Sequence, residues 1–134
     1  MQVKSKIRIV GRVTVELRGP DGRLKQRFVQ HNLVTDVGDQ YIQKLVTGSA
    51  VTAMAGMKLG TATTAASKNG AGSYVAVADY VAGSAHAFDA TWPKQGASAN
   101  ITQYKVTWAA GEATANNINR VGIVDNTTNA GEAD

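Results

Sequence analysis

The sequence contains no cysteine, and only two of its 134 residues are proline and two are histidine. The absence of cysteine excludes disulfide bonds, zinc–thiolate sites and thiol nucleophiles. The two histidines, His31 and His86, are far apart in the chain, and neither has a neighbour at metal-ligand spacing. We therefore predict no metal site, no cofactor site and no catalytic residue, and we expect that the protein is not an enzyme.

Long apolar runs are also missing, since no segment approaches the ~20 residues that a membrane-spanning helix needs. The basic segment 1–13 lacks the continuous apolar core of a signal peptide, so we expect neither a signal peptide nor a membrane partner. Hydrophobic residues still make up 43% of the chain, which is ordinary for a folded protein. We predict a single β-rich domain over residues 1–126 and a flexible tail over 127–134.

Two-residue periodicity dominates the N-terminal segment. Apolar side chains occupy odd positions from Ile7 to Leu17, whereas charged and polar side chains occupy most even positions. This alternation predicts a strand whose odd-numbered side faces the core. The run Gly19-Pro20-Asp21-Gly22 predicts a turn, after which residues 24–30 return as the second strand of a hairpin.

The segment 101–125 predicts two strands joined by a bend. Tyr104, Val106 and Trp108 share one side at period two, and the small residues of 109–113 interrupt the alternation. The apolar pattern resumes at Ile118. A lone carboxylate rarely performs acid–base chemistry, so we expect Glu112 to accept backbone N–H groups where the strand breaks.

One segment has helical periodicity, at about residues 36–47. Thr35 or Asp36 is suited to cap its start, and Gly48 is suited to end it. An apolar stripe at helical spacing predicts a core-facing side: Val37, Tyr41, Ile42, Leu45 and Val46. Together these patterns predict a mainly β fold, a single-domain antiparallel β-sandwich or jelly-roll-like structure with one short α-helix.

The middle of the chain has weaker signals. Residues 54–59 are apolar and predict a buried strand, and residues 86–92 suit an extended segment that ends at Pro93. Residues 61–72 and 94–100 are small and polar, which predicts loops. Residues 73–81 favour a short helix or an irregular segment.

Positive charge is concentrated at the N-terminus. The chain carries a net charge of +4, but residues 1–30 hold eight basic and two acidic side chains, which leaves −2 for the remainder. The even-numbered side of the first strand presents Lys4, Lys6, Arg8, Arg12 and Arg18. Such a row is either a solvated strand face or an electrostatic surface for an acidic partner. Specific nucleic-acid binding is disfavoured because no basic stretch is interleaved with aromatic residues.

The two tryptophans, Trp92 and Trp108, also have two interpretations. Either could stack on a sugar or a base, as in a carbohydrate-binding module. Large aromatic side chains serve more often as core or interface anchors, and we favour that interpretation. With the basic row, Trp92 completes our set of candidate partner-binding residues.

The chain resembles small virion structural proteins of tailed bacteriophages. The resemblance lies in the hairpin GRVTVELRGPDGRLKQRFVQ, the following HNLVTDVGDQYIQKLV, and the later segments MKLGTATTAASKNGAGSYVAV, AGSAHAFDATWP and YKVTWAAGEATANNINRVGIVDN. It extends over about the whole chain, from Val3 to Asn126. The residues that carry it are Asn32, Leu33, Val34, Gly38, Leu59, Gly60, Gly111, Glu112, Ala113, Thr114 and Ile123.

The resemblance implies a structural function. Members of this group are capsid decoration (cement) proteins or short tail and fibre-associated proteins. We expect a decoration protein that binds the major capsid protein on the outer surface of the virion and is made in the cytoplasm of the bacterial host. Decoration proteins of this kind are often homo-oligomers, so a dimer or trimer is expected. A tail or fibre-adaptor protein is the alternative.

Overall fold

All strand pairings in the described part of the chain are antiparallel. The structure is a computed structural model that describes residues 9–61, 68, 80–125 and 127. Within them the elements are β1 (Arg12–Arg18), β2 (Leu24–His31), α1 (Asp36–Val46), β3 (Gly56–Gly60), β4 (His86–Ala87), β5 (Lys94–Gln95), β6 (Thr102–Gln103) and β7 (Arg120–Val124). The predicted class, mainly antiparallel β with one short helix, is confirmed.

The chain divides into two compact units. The first comprises Met1–Ser49 with Ser67–Asn69, and the second comprises Ala50–Ala66 with Gly70–Asp134. The arrangement of residues 1–126 as one domain stays a prediction. The predicted tail at 127–134 falls outside the described residues apart from Thr127, as do most of the segments 61–72 and 73–81.

A regular hairpin forms the β part of the first unit. β1 pairs with β2 from Arg12↔His31 through Leu17↔Gln26, and the register then shifts before Arg18↔Leu24. The turn closes with a hydrogen bond in which the Gly22 N–H donates to the Gly19 carbonyl oxygen at 2.9 Å. The hairpin that the alternation and the Gly-Pro-Asp-Gly run predicted is therefore present.

The helix α1 begins and ends with local capping interactions. The Thr35 hydroxyl accepts a hydrogen bond from the Gly38 N–H at 3.2 Å, which satisfies one of the free donors of the first turn. At the other end, Gly48 has φ +72°, and the N–H of Ser49 donates to the Lys44 carbonyl at 2.9 Å. That left-handed residue and its bonds form a Schellman motif, which is why a glycine follows the helix. The predicted helix and both of its ends are confirmed.

A lysine from a distant part of the sequence supports the start of α1. The Lys68 carbonyl accepts from the Asp36 N–H at 2.9 Å, and its ammonium lies 3.4 Å from the Asp36 carboxylate and also contacts Asp39. The hydrogen bond to Asp39 is the main reason why the pKa of Lys68 is raised above its ordinary value. These groups are exposed, so they orient the first turn of the helix more than they stabilise it.

The first unit differs from the sequence prediction in its burial. None of its described residues is buried, and the helix has no buried side chain. The expectation that the odd-numbered side of β1 and the stripe of α1 form core is therefore wrong for the single chain. The physical reason is that a two-stranded ribbon is one layer, and among the described elements none packs closely on α1. A lone hairpin and an 11-residue helix are each marginal in water.

The core of the second unit lies around a three-stranded sheet. β3 occupies the centre of this sheet, between β4 and β7, and its burial alternates along the strand. Val81, Ala113 and Val124 are the buried apolar residues of the described chain. At Gly56 an added Cβ would lie 2.0 Å from the His86 carbonyl oxygen, so only glycine permits this approach of β3 to β4. The predicted buried strand is confirmed, although it begins two residues later than expected.

Ser84 connects the sheet to the rest of this unit. Its side chain is fully buried; its hydroxyl accepts from the Leu59 N–H at 3.0 Å and lies 3.3 Å from the Leu59 carbonyl oxygen, to which it donates. The Ser84 carbonyl in turn accepts the indole N–H of Trp108 at 2.8 Å. One residue thus binds the backbone of the central strand β3 and fixes the indole of Trp108.

The segment 101–125 is less regular than predicted. Only Thr102–Gln103 of its first half forms a strand, although burial still alternates, with Tyr104, Val106 and Trp108 half-buried. The partner of Thr102–Gln103 is Lys94–Gln95, so the prediction of a loop throughout 94–100 is wrong at its start. The extended segment expected at 86–92 is likewise reduced to His86–Ala87.

Replacing Ser84 with alanine should destabilise the second unit by about 1–3 kcal/mol, because the backbone N–H of Leu59 loses its partner, whereas the Leu59 carbonyl keeps the Val81 N–H. Denaturant unfolding followed by tryptophan fluorescence measures this, since both tryptophans belong to that unit. The exposed Ser98→Ala is the control, with an expected change within about 0.5 kcal/mol. Equal midpoints for the two variants would contradict the assigned role.

Candidate partner-binding surface

The described part of the predicted basic row lies on one face of the hairpin. Lys4, Lys6 and Arg8 are outside the described residues, whereas Arg12 and Arg18 are the first and last residues of β1. Directly opposite residues of paired strands share a face. What we call the basic face is therefore made of side chains from both strands: Arg12, Thr14, Glu16 and Arg18 of β1 and Arg27, Val29 and His31 of β2.

Glu16 is the acidic side chain at the centre of the basic face. It lies 2.7 Å from the Arg18 guanidinium and 3.8 Å from that of Arg27. Arg18 also donates to the Gly22 carbonyl at 3.1 Å. Exposed pairs of this kind contribute little stability but hold the side chains in place. Three arginines against one glutamate leave the basic face net positive, and the guanidinium of Arg18 is pre-positioned by its own strand.

The three residue pairs that make up the opposite face of the hairpin include no charged side chain. We call it the apolar face, and it is made of Val13, Val15 and Leu17 of β1 and Gln26, Phe28 and Gln30 of β2. Leu17 is 56% exposed and Phe28 is 52% exposed. A hydrophobic surface of this kind on a folded chain is typical of a contact site.

Trp92 belongs to the second unit and is half-buried. The Lys94 ammonium lies 4.1 Å from the centroid of its indole ring, which is a cation–π contact. Its backbone N–H donates to the Asp89 carbonyl at 3.0 Å. Trp92 is thus held in a defined place with a cation on its ring, as suits an interface anchor. The indole N–H of Trp108, by contrast, donates to the Ser84 carbonyl within the same unit.

The carboxylate of Asp89 organises the segment beside Trp92. It accepts the Thr107 N–H at 2.8 Å and the Thr107 hydroxyl at 2.7 Å, and it lies 3.0 Å from the Lys105 ammonium. The Thr107 hydroxyl, with Lys105 next, holds the pKa of Asp89 below its ordinary value. The Asp89 N–H also donates to the Lys105 carbonyl at 2.9 Å, so backbone and side chain of one residue together hold the segment 105–107 without a continuous ladder.

His86 has neighbours that sequence reasoning missed. Its Nε2 atom lies 3.6 Å from the Glu112 carboxylate, and its ring is 6.2 Å from the indole of Trp108. The Glu112 carboxylate accepts the Ala109 N–H at 2.6 Å, so its predicted role in the bend is confirmed. The sequence has no signal for the His86–Glu112 pair, because the two residues meet only through the tertiary fold.

No group of three or more metal-binding side chains occurs within residues 9–61, 68, 80–125 and 127. In the same residues no helix is long and apolar enough to cross a membrane. Comparison with known proteins finds no matching family model, no matching curated protein and no matching solved structure. The virion resemblance therefore stays a prediction that rests on the motifs alone.

Replacing Asp89 with asparagine should lower the free energy of unfolding at pH 7 by about 1–3 kcal/mol, because charge-assisted hydrogen bonds are lost. A carboxyl whose pKa is lowered by folding stabilises the protein above its unfolded value of 3.8. That stability is lost as the pH falls through the lower folded pKa. As the pH falls from about 5 into the acid range, the free energy of unfolding of the variant should therefore fall less than that of the wild type. Denaturant unfolding at about two pH values per pH unit measures the difference.

Thr107→Val is the partner variant for this measurement, because it removes the main cause of the lowered pKa and keeps the Asp89 carboxylate and Lys105. Its acid transition, followed by tryptophan fluorescence, should begin at a higher pH than that of the wild type. Identical acid transitions in all three proteins would show that Asp89 does not contribute to the pH dependence.

Proposed function

We propose that the protein is a structural virion protein of a tailed bacteriophage, a capsid decoration protein that stabilises the head by binding major capsid subunits on the outer surface. The proposal combines the resemblance of the motifs with one observation, which is that the hairpin Arg12–His31 has no buried side chain and presents a basic face and an apolar face to the outside. A hairpin of this kind is suited to binding rather than to forming the core of its own chain.

The basic face suits an acidic partner surface. Arg12, Arg18 and Arg27 point to one side of a two-stranded ribbon, and the pairing of β1 with β2 fixes their spacing. Burying such a row without partners would be expensive, so its side chains remain in water or meet carboxylates. Charges at the rim of a contact mainly accelerate association and set orientation. We therefore assign the basic face to the approach of the protein to the capsid.

Aromatic anchors would supply more of the affinity than these charges. Trp92, with its ring against Lys94, is the described residue of the second unit that best fits this role. Tryptophan and arginine are enriched among the residues that dominate binding energies. In this arrangement the basic face determines how fast the protein binds, and Trp92 contributes to how long it stays bound.

The double variant Arg12→Gln/Arg18→Gln should bind purified expanded capsids more slowly, by about tenfold at low ionic strength, because steering by positive charge is lost. The association rate should also depend less on salt concentration than that of the wild type. Surface plasmon resonance at two ionic strengths measures both. Lys44→Gln, in the last turn of α1, is the control for the loss of one positive charge outside the basic face.

An unchanged association rate and an unchanged salt dependence in the double variant would show that the basic face is only solvated. Saturable binding to isolated tails but not to capsids would instead assign the protein to the tail or fibre adaptor, the alternative within the same resemblance. Binding to a glycan array with no binding to either particle would favour a carbohydrate-binding module.

A further inference from the structure

We propose that His86 and Glu112 form a pH-dependent ion pair, which attaches the bend at residues 109–113 to strand β4 when the solution is acidified. Neither residue belongs to the basic face or to the apolar face of the hairpin. The inference goes beyond the proposed function, because the ion pair needs no partner and can be measured on the protein by itself.

The first step is the position of the two side chains. The His86 Nε2 atom lies 3.6 Å from the Glu112 carboxylate, and the two side chains are 29% and 42% exposed, respectively. Solvent protons therefore reach both groups, although the protein shields them in part. A protonated imidazole carries an N–H on both ring nitrogens and attracts the carboxylate by charge, whereas a neutral imidazole attracts it far less.

The second step is the set of charges around His86, beginning with the sheet. His86 pairs with Met57, and Met57 pairs with Ile123, so the neighbours of His86 across this face are apolar. Lys58 follows Met57 along β3 and therefore lies on the other face of the sheet. Asp125 follows β7, which is separated from β4 by the central strand β3. The sheet thus offers His86 no close countercharge among the described residues.

The chain before the bend provides the other neighbours of His86. The indole of Trp108 has its centroid 6.2 Å from that of the imidazole. The Lys105 ammonium is already paired with the Asp89 carboxylate at 3.0 Å. Among the described residues, Glu112 is the acidic side chain that forms an ion pair with His86. The protonation of His86 therefore acts mainly through this one carboxylate.

The third step is the backbone of the bend, which is strained. Ala113 is buried and has φ +50°, a left-handed conformation that residues other than glycine seldom adopt. The bend is closed by Glu112, whose N–H donates to the Ala109 carbonyl at 3.1 Å and whose carboxylate accepts the Ala109 N–H at 2.6 Å. Strained backbone persists only where surrounding contacts hold it. A further contact to Glu112 therefore acts directly on this conformation.

The direction of the pH effect follows from the charges. Histidine changes its charge between about pH 5 and 8, and glutamate is ionised over that range. The ion pair is therefore formed at the acid end of the range, and it is lost as the pH rises and His86 releases its proton. Acidification should attach the bend to β4, whereas a mildly alkaline solution should leave the bend with its own Ala109–Glu112 hydrogen bonds.

A double-mutant cycle at two pH values tests the ion pair. His86→Gln and Glu112→Gln each remove one charge, and the amide oxygen introduced by the second can still accept the Ala109 N–H. Denaturant unfolding is measured for the wild type, both single variants and the double variant. At about pH 5.5 the two substitutions should be coupled by about two- to fivefold in the equilibrium constant of unfolding. At about pH 8 the coupling should be within about 1.5-fold.

The other histidine of the chain provides the control. His31 belongs to the first unit, and the chain contains only two histidines. When the cycle is repeated in the His31→Gln background, the titrating histidine is His86. The coupling in this background should show the same dependence on pH as in the original cycle.

A second measurement examines the folded protein and needs no unfolding. Trp92→Phe leaves Trp108 as the only tryptophan, and an imidazolium beside an indole quenches its fluorescence. In this background the emission should decrease as the pH is lowered from about 8 to about 5.5. Adding His86→Gln should abolish the decrease. Adding Glu112→Gln should make it smaller, because the imidazolium loses the carboxylate that holds it in place.

Three results would overturn the inference. They are equal coupling at the two pH values, loss of the pH dependence in the His31→Gln background, and a fluorescence change that persists after His86→Gln. All measurements use the purified protein without capsids. A failure to bind capsids would therefore leave this inference standing, and the absence of the ion pair would leave the proposed function standing.

Discussion

The hydrogen bonds between the buried hydroxyl of Ser84 and the backbone of Leu59 are the interaction on which the second unit depends. They satisfy the Leu59 N–H of the central strand β3, whose carbonyl oxygen also accepts the Val81 N–H. Through its carbonyl the same residue fixes the indole of Trp108, which in turn lies beside His86 of β4. A single small polar residue thus links the sheet to its surroundings, and burial makes these bonds costly to leave unpaired.

The first unit depends on a different constraint, the need of its apolar surfaces for a cover. Its local interactions are well made, with a closed turn, a Thr35 cap and a Schellman motif after α1. Such interactions specify the conformation of the backbone, but they bury almost no apolar area. Because hydrophobic burial is the main favourable contribution to folding, this unit has more to gain from association than the second unit has.

The exposed hairpin of the first unit and the well-bonded core of the second unit both suit a protein that acts by binding. The hairpin separates its tasks by face, with charge on one side and neutral apolar side chains on the other. The antiparallel register maintains this separation, because it pairs charged positions with the basic face and apolar positions with the apolar face. A shift of one residue would place side chains of both kinds on each face. In the second unit, Asp89 fixes the position of the segment that carries Trp92, so an aromatic anchor lies on a defined backbone.

Local structure could be predicted from short-range patterns in the sequence: the hairpin from its alternation and its turn, the helix from Thr35 and Gly48, and the role of the Glu112 carboxylate from the bend around it. Burial could not be predicted in the same way. The stripe of α1 and the odd-numbered side of β1 have the pattern of core residues but no layer opposite them, whereas Ser84 has no pattern at all and is fully buried. The physical reason is the separation along the chain over which each effect acts. Periodicity and capping act between residues a few positions apart, but the burial of a side chain depends on the surface that packs against it, and distant residues or another chain provide that surface.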